Sequence, residues 1–342
     1  ENFKTDGAEP ILYDLTTSTR MVTNLDNGKV LIKIEAFSGE REFYLVNSVS
    51  GVTLINDLVN KNFINYNNLD GDYIIITSRK LRNDGQGNDL PHEYAEYRRS
   101  TGFAPIILEV EDLYDAFAYG VQRHPLAVRN LAHFAKANWT NPRYILLLGK
   151  GRKFNDIRAY NAATDATFFV PTFGSPGADN LLVATNNSQV PVIPIGRIAA
   201  TKPADIQLYL NKLRDYENPP SQAAEDRAWR KQVIHLGGGK NTGEQISIER
   251  NMDAMRNILS DNAFGADIYT YYKQSNDVTQ RLESEQINEL LQQGVGIITF
   301  FGHGGPTIID ISIGDPATYT NYRKYPVMFA LGCSSGDLHF DG

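Results

Sequence analysis

His303 lies in the run Gly302-His303-Gly304-Gly305, and Cys333 lies in Gly332-Cys333-Ser334-Ser335-Gly336-Asp337. Cys333 is the only cysteine in 342 residues. Histidine beside cysteine is the pairing that activates a thiol: imidazole takes the sulfhydryl proton and the thiolate attacks an electrophilic carbon. Each residue alone has a plainer reading, as a polar loop histidine and as a small buried hydrophobe. Their shared setting argues for the pair, since each follows an apolar run and each is bracketed by glycines. A metal site from His303, Cys333, Asp337 and His339 is the other chemistry these residue types allow. It lacks the C-x-x-C or H-x-x-x-H spacing of a zinc centre.

For the pair to meet, the runs before it must be neighbours. Val295 to Phe301 and Pro326 to Leu331 are unbroken apolar stretches, and both read as strands buried on two faces. As parallel neighbours their C-terminal ends would lie roughly 5 Å apart. That edge is where open α/β sheets hold their ligands.

The remaining chain supplies the scaffold. Residues 1–49 read as short β segments, Ile11 to Leu15, Val30 to Ile34 and Glu42 to Val46, with a turn at Asp26-Asn27-Gly28. They suit the end of a larger β domain. From Gly71 the period changes. Strands are expected at Asp72 to Thr77, Pro105 to Val110 and Arg143 to Gly149, with helices over His92 to Ser100 and Leu126 to Trp139. An edge segment at Pro191 to Ile198 and a helix over Lys202 to Glu217 close the first α/β subdomain, residues 50–222, at Asn218-Pro219-Pro220-Ser221. The second, residues 223–342, runs through a strand at Lys231 to Leu236, a helix over Thr242 to Leu259, a strand at Asp267 to Lys273 and a helix over Val278 to Gln293. It ends with the His303 and Cys333 strands. This alternation predicts two α/β subdomains with mostly parallel sheets behind a short all-β segment.

Composition narrows the function classes. Apolar content of 42% and charged content of 21% are those of an ordinary globular chain. A net charge of −7 leaves no basic footprint for nucleic acid. No window reaches the eighteen apolar residues of a membrane span. The chain opens at Glu1, as a processed or excised piece would. Gly237-Gly238-Gly239-Lys240 follows a strand as a phosphate loop does, but Asn241 stands where Ser or Thr belongs and Ile234 where the first glycine belongs. His235, inside the strand, reads as a core histidine.

Taken together these residues resemble the gingipain family of caspase-like cysteine peptidases. The likeness rests on Gly302-His303-Gly304, on Ala330 to Asp337, on Tyr144 to Lys150, on Pro194 to Ile198 and on Ser175 to Asn180. Within the family, Phe301-Gly302-His303, Lys324-Tyr325-Pro326, Tyr119-Gly120 and His124-Pro125 are similar to the PorU-type sortases of the Bacteroidetes type IX secretion system. The resemblance implies caspase-like three-layer subdomains, with the dyad in the second, and a peptide or protein substrate. It also implies a secreted or outer-membrane-associated protein with secretion components as partners, and it allows a structural calcium but no required cofactor. Cys333 would be the nucleophile and His303 the general base and acid, with the backbone N–H groups of Gly304 and Cys333 as oxyanion donors.

The family's histidine-orienting glutamate falls at Gly237 here, which leaves Asp179 and Asp310 as candidates for a third member. Its acid for a basic side chain falls at Ile246. Apolar residues at 246, 252, 255 and 259 are expected to face the core, with Glu244 and Glu249 on other faces. The family's catalytic domain continues beyond its cysteine, whereas this chain ends nine residues later, so the second subdomain is expected to be truncated. Enzyme and catalytically silent scaffold are therefore the two function classes in competition.

Overall fold

The computed structural model describes residues 3–5, 7–47, 60–158, 166–219, 223–282 and 285–340. The chain divides into two units, Glu1–Asn62 and Phe63–Gly342. The boundaries expected near residues 49 and 222 fall at segments 48–59 and 220–222, outside the described residues.

In the first unit, β1 (Ile11–Asp14) pairs antiparallel with β2 (Thr19–Val22) and with β5 (Phe43–Val46). A separate hairpin joins β3 (Asn24–Asp26) to β4 (Lys29–Leu31). Its turn residues have positive φ, 50° at Asn27 and 74° at Gly28, as a two-residue hairpin turn of this hand requires.

The second unit holds two four-stranded parallel sheets. In the first, β6 (Tyr73–Thr77) lies between β7 (Pro105–Glu109) and β8 (Tyr144–Leu148), and β9 (Ile195–Ile198) forms an edge beside β8. Ile74, Ile75, Ile76, Leu147 and Leu148 have no exposed surface. Consecutive apolar residues along one strand are the mark of burial on both faces. The surrounding helices are α1 (Leu90–Ser100), α2 (Val110–Phe117), α3 (Leu126–Asn138) and α4 (Pro203–Glu217).

The second sheet has the order β11-β10-β13-β15. These strands are β10 (Gln232–Gly237), β11 (Asp267–Tyr272), β13 (Ile297–Phe301) and β15 (Val327–Leu331). Helix α5 (Thr242–Leu259) leads from β10 to β11, and α6 (Glu285–Gln293) precedes β13. A two-residue pair, β12 (Gln280–Arg281) with β14 (Ile311–Ser312), runs alongside. The core of this half gathers Ile234, Leu236, Ile298 and Phe300 against Ile287, Leu290 and Leu291 of α6.

Three expectations need correction. The helix expected from Val278 starts only at Glu285, because Gln280 and Arg281 are drawn into strand pairing. The strand expected to reach Val110 ends at Glu109, where α2 begins. The Cys333 strand is not buried: Val327, Met328, Phe329 and Leu331 are 48, 49, 56 and 47% exposed. An apolar run says that a strand can be covered, but β15 sits at a sheet edge and is left open among the described residues.

Candidate active site

The positions of His303 and Cys333 are set by strand register. β13 and β15 pair in parallel from Ile297 opposite Val327 to Phe301 opposite Leu331. The Gly302 N–H then donates to the Leu331 carbonyl at 3.1 Å, carrying the ladder one step further. His303 and Cys333 thus each stand two residues past the paired ends of adjacent strands. The glycines before them are sterically required, since both lie against the Phe300 ring. A Cβ at 302 would sit 3.0 Å, and one at 332 would sit 2.8 Å, from ring carbons of Phe300. Gly304 faces the cysteine loop: a Cβ there would overlap Ser335 Oγ and lie 3.3 Å from the Cys333 carbonyl oxygen. His303 and Cys333 share no hydrogen bond among the described residues, and Cys333 is exposed.

His303 is oriented by a residue that the sequence reading turned away from it. Its Nε2 lies 2.9 Å from Oε2 of Glu244. A carboxylate only accepts, so Nε2 carries the proton, and in the neutral ring Nδ1 is left as the acceptor. Glu244 is the third residue of α5, and the N-cap Asn241 accepts its backbone N–H at 3.1 Å. The same Oε2 accepts the Lys240 N–H at 2.9 Å. That backbone bond first, and His303 second, hold the Glu244 carboxyl below the usual glutamate range. Glu244 and His303 are 41 and 43% exposed, so the contact is worth little as an ion pair. Its value is directional.

The first turn of α5 explains the misreading. Its buried residue is Met252, and Gln245, Ile248, Met255 and Leu259 are partly covered on the same side. Ile246 is 44% exposed and does not join the core. Glu244 is four residues before Ile248 and eight before Met252, so it leans toward the sheet. Gly237, where the family's acid was matched, has no room for a side chain, because a Cβ there would lie 2.5 Å from the Tyr272 ring.

Among the described residues, neither earlier third-member candidate hydrogen-bonds to the His303 side chain. Asp310 is buried beneath the loop after β10, where its Oδ2 accepts the Gly239 N–H at 2.8 Å. Its own N–H donates to the His303 carbonyl at 2.9 Å. Asp310 therefore braces the backbone that carries His303. Together Asp310 and Glu244 occupy the Gly239 and Lys240 N–H groups that a phosphate would need.

Asp179 opens a short helix, Asp179–Leu182, beside the other sheet. Arg197, 1% exposed, donates to both its oxygens at 2.7 and 2.8 Å. Arg197 also donates to the carbonyls of Gly149, Val170 and Pro171 at 2.6, 2.9 and 2.9 Å. All five guanidinium N–H groups are thereby used. Burial alone would raise the Asp179 carboxyl, but the Arg197 bonds outweigh it and hold the group below the ordinary aspartate range.

The cysteine loop carries a cleft of about 200 Å³, lined among others by Gly177, Asp179, Ser334, Asp337 and His339. Both carboxylates in it are already paired, Asp179 with Arg197 and Asp337 with Lys153 at 2.9 Å. The N–H groups of Gly304 and Cys333 donate to no protein acceptor among the described residues. No group of three or more His, Cys, Asp or Glu able to hold a metal occurs among them either. His303, Cys333, Asp337 and His339 form no such group among the described residues. No helix among the described residues is long and apolar enough to cross a membrane.

Comparison with known proteins places the chain in a family. The family model described as peptidase family C25 matches residues 66–342. No curated protein matches the sequence. Among solved structures, the chain is similar to that of the Arg-specific cysteine proteinase gingipain R, with a TM-score of 0.58 and 17% identity. That match covers 80% of this chain and 57% of the gingipain R chain. At this identity the likeness speaks for the fold, which is the caspase-like α/β arrangement with mostly parallel sheets expected from the sequence.

Proposed function

Since the chain belongs to peptidase family C25, we propose that it is a cysteine peptidase whose working residues are Cys333, His303 and Glu244. The observation that carries this reading is the shared register of β13 and β15. It supports pairing the single thiol with a histidine whose Nε2 is already committed to a carboxylate. In the first step the Cys333 Sγ–H proton moves to His303 Nδ1 and sulfur bonds to the scissile carbonyl carbon. The carbonyl π electrons move to oxygen, and the N–H groups of Gly304 and Cys333 receive that oxyanion. Collapse breaks the C–N bond, and the imidazolium returns its proton to the leaving amine. Water then attacks the thioester, giving a proton to Nδ1, and release of the acid restores the thiol. Glu244 stays ionised throughout and fixes the ring and its tautomer.

The PorU-type motifs support a narrower form of the reading, in which an amine instead of water resolves the thioester and a new amide forms. A secreted or cell-surface setting, with type IX secretion components as partners, belongs to that narrower proposal. The acid whose absence favoured a silent scaffold is supplied by Glu244. The direct test is intact-mass analysis after incubation with a peptidyl electrophile. One adduct is expected, on Cys333, forming more slowly in His303→Ala. Added glycine amide separates transfer from hydrolysis through its ligated product. No adduct on Cys333, or equal rates in both proteins, would sink the peptidase reading.

The cleft beside Cys333 bears on specificity. A buried unpaired cation costs several kcal/mol, and the two carboxylates lining this cleft are neutralised by Arg197 and Lys153. Peptides with arginine or lysine before the scissile bond are therefore expected to be cleaved no better than matched uncharged ones. A preference of about a hundredfold in kcat/KM for arginine, about 2.7 kcal/mol in the transition state, would contradict this.

A further inference from the structure

We infer that Lys153 and Asp337 form a clamp through which the first sheet of the second unit positions the Cys333 loop, a role that rests on the peptidase reading above. On its N-terminal side the cysteine is fixed by the β13–β15 ladder, which ends at the Gly302–Leu331 bond. Past that bond the loop has little to hold it. Ser334 and Gly336 take left-handed φ values of 53° and 81°, and the local bonds are single turns, such as Asp337 N–H to the Ser334 carbonyl at 3.2 Å.

What fixes the far side comes from residues following β8. Lys153 Nζ donates to Asp337 Oδ2 at 2.9 Å, and the Asp337 side chain is only 6% exposed. Asp337 Oδ1 accepts the His339 N–H at 3.1 Å, so one carboxylate ties the loop to itself and to the opposite sheet. Lys150 Nζ donates to the Phe340 carbonyl at 2.7 Å. His339 is buried against two glycines that leave it space: a Cβ at Gly151 would lie 3.1 Å from its Nδ1, and one at Gly177 2.5 Å from its Cδ2. Burial would raise the Asp337 carboxyl, but Lys153 and the His339 N–H hold it below its ordinary range, so the clamp is ionic. The nucleophile's place thus depends on the half of the unit that carries neither His303 nor Glu244. Asp337 and Lys153 are positioning residues; they act through the loop and touch no reacting atom.

The test uses the full chain with Lys153→Met, which keeps the aliphatic stem, and Asp337→Asn, which keeps an acceptor for the His339 N–H. Amide hydrogen exchange over residues 332–340 is read beside peptide cleavage. Exchange is expected to quicken in either variant, with kcat falling roughly tenfold to a hundredfold and KM nearly unchanged. The double variant should fall no further than the worse single one, and Lys153→Arg should recover part of the loss. Unchanged exchange overturns the clamp. So does faster exchange with unaltered kcat, a rise in KM alone, or additive losses in the double variant. If the wild-type chain cleaves nothing, the peptidase reading falls by itself. Exchange and the alkylation rate of Cys333 then decide the clamp.

Discussion

Cys333→Ala is expected to lower peptide cleavage at least about a thousandfold, because the serine hydroxyls of the same loop are far weaker nucleophiles than an activated thiolate. The chain holds a single thiol, so no neighbouring cysteine can substitute for it. What remains should come from substrate binding and the Gly304 and Cys333 backbone N–H groups, which alanine retains. The sharper form of the expectation uses His303→Ala as well. Residues that act as one unit lose their function together, so the double variant should be no slower than the slower single one. Cleavage of a fluorogenic peptide under single-turnover conditions measures both. A Cys333→Ala protein that keeps a tenth of the wild-type rate would place the chemistry elsewhere.

Glu244→Gln should cost about a hundredfold or more in kcat. An amide of the same size can still reach His303 Nε2, but it can offer its NH2 group, and the ring then has reason to protonate on Nδ1 instead. That is the wrong nitrogen to receive the thiol proton. The pH dependence gives a second readout. The Glu244 carboxyl is held below the usual glutamate range by the Lys240 N–H and then by His303. A depressed acid contributes fully above its ordinary pKa and is lost as pH falls through the depressed value. The acid-side loss due to Glu244 should therefore lie below the ordinary glutamate range in kcat/KM, and Glu244→Gln should lack it. A variant with wild-type rate and an unaltered acid limb would reduce the 2.9 Å contact to surface decoration.

How much of this was legible in the sequence differs from element to element. Apolar runs with glycine stops located the His303 and Cys333 strands, because burial and turn geometry both act locally on residue type. The Asn27-Gly28 hairpin was readable for the same reason, since positive φ at two successive positions narrows the choice of residues. Helix α5 was found with its two ends in place and with Met252, Met255 and Leu259 on its inner side. Only the first turn was misassigned: Ile246, about 200° around the helix from Ile248, was counted into that stripe, and that single choice hid Glu244. The capping pattern Asn241-x-x-Glu244 was a usable signal, for it fixes a glutamate at the helix start on the sheet edge that carries His303. Asp310 was picked out for the right neighbourhood and the wrong task. Whether a loop aspartate meets a side chain or a backbone N–H depends on how the chain folds over the 71 positions that separate Asp310 from Gly239, which spacing does not report. The openness of β15 was invisible for a related reason. Hydrophobicity records what a strand tolerates, whereas its cover depends on what lies beside the sheet.

The parallel ladder from Ile297–Val327 to Phe301–Leu331 also sets a rule for insertions and deletions. Both reacting side chains hang from one main-chain register, so their alignment is held by peptide groups that most substitutions leave alone. A residue added around Asp315 to Thr320, within the crossover between the strands, would lengthen a connection at a small entropic cost and leave the alignment intact. One added between Val327 and Gly332 would carry the sulfur about 3.3 Å along the strand and turn it to the opposite face. Length variation among descendants of this sequence should therefore collect in the crossover and stop abruptly at Val327.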